Sequence, residues 1–334
     1  MTTLSQIVTR FAEQAGKPGA RLLRGTSRSI FVGPGNDRVL YSWGTHFPLA
    51  QIMPGERGDR SWWLLNGDTY SASTTSHQQL VREACEKTRL PALIVPFSCL
   101  RAAGIDRETI EPVDILEDQW REVPQYAPPS QEFPWPHTIA DPRRLPDGRW
   151  TWTVRRHMLG ASLFRASCTV WDRATREQVT RTACFLSAFD QQEPLPLYFL
   201  CELPAGAAPA TVAGALEALK PPEVTQAEAA GLTVTRQGDV FAIPVSRPTR
   251  EIPGETRHGA YLLGLGHTAT EARVAGDGTT YARGILRHAP ANRDPEHARQ
   301  PMGNRRGWHQ IVRNSVPLDS YGNQRSWTRA GNVD

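Results

Sequence analysis

Ser167-Cys-Thr-Val-Trp-Asp-Arg-Ala-Thr-Arg-Glu-Gln-Val-Thr-Arg-Thr-Ala-Cys-Phe185 reads as a β-hairpin. Its two arms, Ser167–Trp171 and Val179–Phe185, are rich in β-branched and aromatic residues. The polar run from Asp172 to Glu177 between them is a turn segment. The surrounding sequence continues in the same manner. Trp150-Thr-Trp-Thr-Val154 alternates, and Leu197 to Glu202 has the apolar run of a buried strand. Residues 240–245, 261–265, 281–286 and 309–312 also read as strands, and Val234 with them. Only 211–220 carries a clear helical pattern; Pro221-Pro222 ends it, and 225–230 suggests a second short helix. The spacing therefore predicts a β-rich C-terminal domain over 150–334 with one or two helices.

Toward the N-terminus the pattern changes. Leu4, Ile7, Val8, Phe11 and Ala12 recur at helical spacing, and Gly16 and Pro18 end that helix. Strand-like runs follow at 29–32, 39–43 and 61–65, with Asn66-Gly67 as a tight-turn signal toward Thr69-Tyr70. Residues 75–85 read as an amphipathic helix capped by Thr75 or Ser76. Leu90–Leu100, the longest apolar run, suits a buried strand or the end of a core helix. Residues 1–122 thus form an N-terminal α+β module. Between the two regions, 123–149 holds seven prolines (124, 128, 129, 134, 136, 142 and 146). Proline fixes φ and removes the amide donor, which excludes a regular helix or a central strand and predicts a linker or wrapping segment. The fold class expected for the whole is α+β.

Composition narrows the function classes. Of 334 residues 39% are hydrophobic and 22% charged, a balance that supports a packed core. No apolar run approaches the roughly 18 residues of a membrane-spanning helix, and Met1-Thr-Thr-Leu-Ser-Gln lacks the basic-then-apolar layout of a signal peptide. Five cysteines with no CxxC pair disfavour a disulfide framework or a zinc knuckle and suit a reducing, cytoplasmic setting. Arginine supplies 35 of the 38 basic residues, yet a net charge of +4 is too small to name a nucleic-acid partner by itself.

The densest chemistry lies between His258 and His309. This block holds five of nine histidines (258, 267, 288, 297 and 309), with Glu271, Asp294 and Glu296. His267-Thr-Ala-Thr-Glu271 places two side chains four residues apart, on one face of a strand or a helix alike. If the strands bearing His267, His288 and His309 are neighbours, these three and Glu271 converge. Three such ligands with an open position describe a catalytic metal site, and the same residues without metal describe an acid/base site. No ligand spacing here is diagnostic; HExxH and HxH are both absent. Arg283, Arg287 and Arg313 are the candidate phosphate-neutralising residues, with Trp308 as a stacking surface. Gly238-Asp239 reads as a turn into a core strand. Tyr41–His46 and Asn66–His77 form a further set, in which Thr74, Thr75 and Ser76 at a helix start expose amides that suit an anion.

Four segments together carry a resemblance: Arg236-Gln-Gly-Asp-Val-Phe-Ala-Ile-Pro244, Gly266-His-Thr-Ala-Thr-Glu271, Ala282-Arg-Gly-Ile-Leu-Arg-His288 and Trp308-His309. They resemble a family of uncharacterised bacteriophage and mobile-element proteins. The segments Tyr41–Pro48 and Asn66–Ser71 are similar to small β-rich modules of the same origin. The resemblance supplies no activity; it implies a cytoplasmic setting and a link to nucleic-acid transactions. The leading expectation is a hydrolase of the phosphodiesterase type, acting on nucleic acid or a nucleotide through His267, Glu271, His288 and His309, with or without a divalent metal. The alternative is a non-catalytic protein of a mobile element that binds nucleic acid or a protein partner. A third is a structural component assembled through residues 120–152.

Overall fold

The computed structural model describes residues 4–14, 29–33, 36–55, 61–68, 71–116, 119–125, 138–144, 150–158, 160–172, 174–189, 198–237, 240–259, 267–288, 300–302 and 306–313. For 14, 36, 37, 72, 119–125, 138–144, 150–158, 189, 198, 199, 288, 300 and 301 it describes the backbone alone. The chain has helices and several sheets, and the strands dominate, as the α+β expectation requires. It divides into two compact units: 1–188 with 198–200, and 189–197 with 201–334. The expected boundary at 122 and the proline-rich segment 123–149 therefore both lie inside the first unit.

The first unit opens with α1 (Leu4–Gln14), whose Ile7, Val8, Phe11 and Ala12 are buried as their spacing demanded. Four strands, β1 (Ile30–Gly33), β2 (Asn36–Ser42), β3 (Gly44–Met53) and β4 (Trp62–Asn66), form an antiparallel meander. Helix α2 (Ala72–Thr88) crosses over to β5 (Ala92–Val95), which pairs parallel with β4. The Phe11 ring meets the Trp63 ring at 5.5 Å, seating α1 on the sheet. Two sequence readings change here. Asn66-Gly67 leads into α2 instead of a hairpin; Asn66 Oδ1 accepts from the amides of Asp68 (2.9 Å) and Phe97 (3.1 Å). The α2 cap is Ser71, whose Oγ accepts from the Thr74 amide, so the helix starts one turn before Thr75. The apolar run 90–100 supplies both expected elements, β5 and then α3 (Phe97–Ala102).

After α3 and β6 (Glu111–Ile115) come β7 (Gln119–Gln125), β8 (Thr138–Arg144) and β9 (Trp150–Met158) in the order β7-β9-β8. The two described prolines of this segment, Pro124 and Pro142, thus enter strands after all, but only where a strand tolerates them, and the other five lie outside the described residues. Pro124 is on an edge strand, and Pro142 is on the opposite edge strand at the register shift between Ala140 and Arg143. The proline-poor β9 is central.

The hairpin expected at 167–185 is β10 (Ser162–Asp172) with β11 (Glu177–Phe189), in unbroken register from Ser162↔Ser187 to Asp172↔Glu177. It joins β6 and β12 (Tyr198–Glu202) in a sheet ordered β12-β11-β10-β6. Its inward face buries Phe164, Ala166, Cys168 and Phe185, the two phenylalanines stacked at 5.6 Å. Gly104 backs onto the middle of β10: its carbonyl accepts from the Thr169 amide at 2.9 Å. At φ +65° it can come this close only because it is glycine, since a Cβ there would lie 2.1 Å from the Thr169 carbonyl oxygen.

The second unit begins with α4 (Val212–Ala218), capped by Thr211, and α5 (Pro222–Ala229). Pro222 does end the first helix, but it also starts the second, because a proline at the first helical position has no amide to waste. Seven strands follow: β13 (Thr235–Gln237), β14 (Val240–Pro244), β15 (Arg257–His258), β16 (His267–Val274), β17 (Thr280–His288), β18 (Gln300–Pro301) and β19 (His309–Arg313). The sheet order is β13-β14-β19-β17-β16-β15, with β18 also on β17. One face packs Val240, Ala242, Ala269, Ala272, Ala282, Leu286, Met302 and Ile311 into a core. On the other face of β14, Phe241 and Ile243 meet Val224 and Ala227 of α5. The expected strand at 261–265 and the Gly238-Asp239 turn lie outside the described residues.

Candidate functional site

Strands β16, β17 and β19 are neighbours, the condition the histidine constellation needed. The register then separates its members. His267 lies opposite His288, at one end of β17. His309 lies opposite Ala282, six residues further along the same strand, or about 20 Å at a strand's rise per residue. Glu271 is displaced differently. It lies opposite Arg283, between core residues Ala269 and Ala272, and its carboxylate turns away from the core. The cause is a bulge in β17: Gly284 and Ile285 together face Thr270, and Gly284 has φ +93°. Two-residue alternation is broken there, so the parity argument that placed His267 and Glu271 on one face fails.

His267, Glu271 and His309 are each taken up by the fold. His267 is fully buried and His309 is 1% exposed, both on the core side with Ala269 and Ile311. Neither His309 ring nitrogen has a well-aligned hydrogen bond; burial lowers its pKa, and the backbone of Gly307 and Ala282 only partly offsets this. His309 is thus a neutral core residue on a central strand. The side chain of His288 and the whole of His297 lie outside the described residues. Among the described residues, no three His, Cys, Asp or Glu side chains come together in a way that could hold a metal ion.

Arg283 and Arg273 are similarly committed. Arg283 donates from Nε to Glu271 Oε2 at 2.7 Å and from Nη2 at 2.5 Å. Its guanidinium carbon lies 5.0 Å from the centre of the Trp308 ring, while that of Arg273 lies 4.8 Å from it. Arg273 also donates to the carbonyls of Thr249 (2.8 Å) and Ile252 (2.6 Å) and to Thr256 Oγ1 (2.9 Å). Trp308, only 2% exposed, is therefore already contacted by two cations and offers no surface to a base. This cluster ties the 249–256 loop to the sheet. Arg287 is exposed opposite Thr268, and Arg313 is half-buried opposite Val240, so the three expected phosphate ligands form no single floor.

The N-terminal set also resolves into structure. Thr75 donates its hydroxyl to the Ser71 carbonyl at 2.7 Å, and the Thr74 amide belongs to the cap. His77, 5% exposed, shares a 2.7 Å hydrogen bond between Nδ1 and Ser42 Oγ, fastening α2 to β2, and burial lowers its pKa. All five cysteines are free, and burial pushes the thiols of Cys99 and Cys201 up to about 12, which makes them unreactive.

Sequence reasoning passed over the outward face of the β10–β11 ribbon. By alternation this face carries Arg165, Ser167, Thr169 and Trp171 on one strand and Gln178, Thr180, Thr182 and Cys184 on the other. Trp171 is 62% exposed, more than any other large hydrophobic side chain described. Thr169 and Thr180 share a cross-strand hydroxyl hydrogen bond of 2.9 Å beside it. Asp172 and Glu177 belong by the same alternation to the opposite face, and the Asp172 carboxylate accepts from the Ala174 amide in the turn. The signal in the sequence was a tryptophan in phase with serine and threonine, not with the buried Phe164, Ala166 and Cys168. No protein-family model matches this chain, and no curated protein or solved structure is significantly similar to it.

Proposed function

We propose that this chain is a nucleic-acid-binding protein and that its histidine block is structural. The observation that carries the reading is the distribution of charge. The β10–β11 hairpin, residues 162–189, holds four arginines (165, 173, 176 and 181) against Asp172 and Glu177, a net +2 in a chain whose total is +4. Arginine in local excess supports phosphate recognition better than net charge does, although Arg165 and Arg181 lie on opposite faces of the hairpin and Glu111 of β6 lies across from Arg165. The separation of His267 from His309, and the pairing of Glu271 with Arg283, support binding over hydrolysis at that block. The resemblance to bacteriophage and mobile-element proteins is in keeping with this reading, and so is a cytoplasmic setting. Among the described residues no helix is long and apolar enough to cross a membrane.

The test is a mobility shift with purified full-length protein over a salt series, on single-stranded and duplex DNA and on RNA. Retention that falls steeply with salt, and intact nucleic acid afterward, is the expected result. Absence of retention at low salt for every nucleic acid contradicts the proposal, as does cleavage that His267→Ala or Glu271→Gln abolishes.

A further inference from the structure

Helices α1 and α2 meet with matched sets of side chains. Thr9, Ala12 and Glu13 stand at i, i+3 and i+4 on α1, and Ala84, Lys87 and Thr88 repeat that spacing on α2, so each set shares one helix face. Alanine provides the buried member of both sets, and its methyl group is too short to fill the space between the helices. A cavity of about 330 Å³ results, with Leu90 as a further wall. This volume lies at the lower end of the range for small-molecule sites.

The polar groups of the cavity divide into engaged and free. The Thr88 hydroxyl is engaged: it donates to the Cys85 carbonyl (2.6 Å) and accepts from the Trp63 indole N–H (3.1 Å) and the Leu90 amide (3.3 Å). Glu13 and Lys87 are exposed at the rim, and among the described residues neither side chain has an ion pair or a hydrogen bond. A carboxylate and an ammonium group thus line one cavity without neutralising each other. The Thr9 hydroxyl is likewise without a partner among the described residues.

We propose that this cavity binds a free α-amino acid with an apolar side chain. The ligand's ammonium group pairs with Glu13 and its carboxylate with Lys87, while its side chain lies on Ala12, Ala84 and Leu90. Charge argues for the occupant. An anion meets repulsion from Glu13 and a simple amine from Lys87, whereas a zwitterion satisfies both. Size argues for a single amino acid over a longer peptide. The site is independent of the nucleic-acid reading above.

Isothermal titration calorimetry of the full chain with L-leucine tests the site, and saturable binding is expected. Isoamylamine lacks the carboxylate and 4-methylpentanoate lacks the ammonium group. Each is expected to bind at least about 10-fold more weakly, the loss of one charge-assisted hydrogen bond. Glu13→Gln and Lys87→Met should weaken leucine binding by the same factor, and both alter exposed positions that folding tolerates. Ala84→Leu fills the cavity and is expected to abolish binding. No saturable binding of leucine, methionine or phenylalanine at millimolar concentration overturns the proposal. Equal binding of leucine and isoamylamine, or undiminished binding by Lys87→Met, removes the zwitterion and overturns it as well. Full binding by a folded Ala84→Leu places leucine elsewhere on the chain, with the same consequence.

Discussion

The β16–β17–β19 sheet and the β10–β11 ribbon make opposite use of their side chains. The sheet concentrates histidine, glutamate, arginine and tryptophan, and it turns nearly all of them toward other protein groups. The ribbon has an ordinary composition and leaves one face of threonine, glutamine, arginine and tryptophan to solvent. Reactive residue types therefore mark a functional site only when something outside the protein can reach them. In the sheet they act as packing and as internal hydrogen-bond partners.

Substitutions that probe this contrast should differ in kind. The largest effect is expected where the ribbon is anchored. Gly104→Ala forces a Cβ against the Thr169 carbonyl from a left-handed backbone, a cost of about 3 kcal/mol from strain and overpacking, read by denaturant unfolding. Next comes the sheet. His267→Ala should cost about 2–3 kcal/mol by opening a buried site on a paired strand. A melting temperature unchanged by this substitution would restore His267 as a functional candidate. Glu271→Gln should cost about 1–2 kcal/mol, because it weakens the charge-assisted bonds that hold Arg283 against Trp308.

Titration gives a smaller effect with a definite sign. Burial lowers the pKa of both His77 and His309, so the unfolded chain binds protons more readily. Stability from these groups is present above the unfolded value of 6.5 and is lost as pH falls below it, until the folded-state pKa is passed. His309→Leu removes one of the two contributions and should flatten the acid limb of the stability profile. The smallest stability effect belongs to the most exposed aromatic among the described residues: Trp171→Ala should change stability by no more than about 0.5 kcal/mol.

The sequence revealed elements better than it revealed faces. The hairpin at 167–185, the first helix and most C-terminal strands were legible because their periodicity is set by burial on one side. The cap of α2 was misplaced because several residues from Ser71 to Ser76 are all competent caps, and tertiary contacts chose among them. The candidate site failed at a single residue. Gly284 inserts a bulge that no two-residue alternation anticipates, and it sends Glu271 away from the histidines. Distance along the sheet was equally hidden, since register between strands far apart in sequence is fixed by the folded partners alone. The ribbon face was available from alternation, but its exposure depended on what covers the hairpin.

Equilibrium binding of labelled nucleic acid, compared between the wild type and Glu271→Gln, tests the central contrast most directly. Glu271→Gln is predicted to unfold earlier than the wild type yet to bind as the wild type does. Loss of binding in Glu271→Gln at a temperature where it is folded would contradict this.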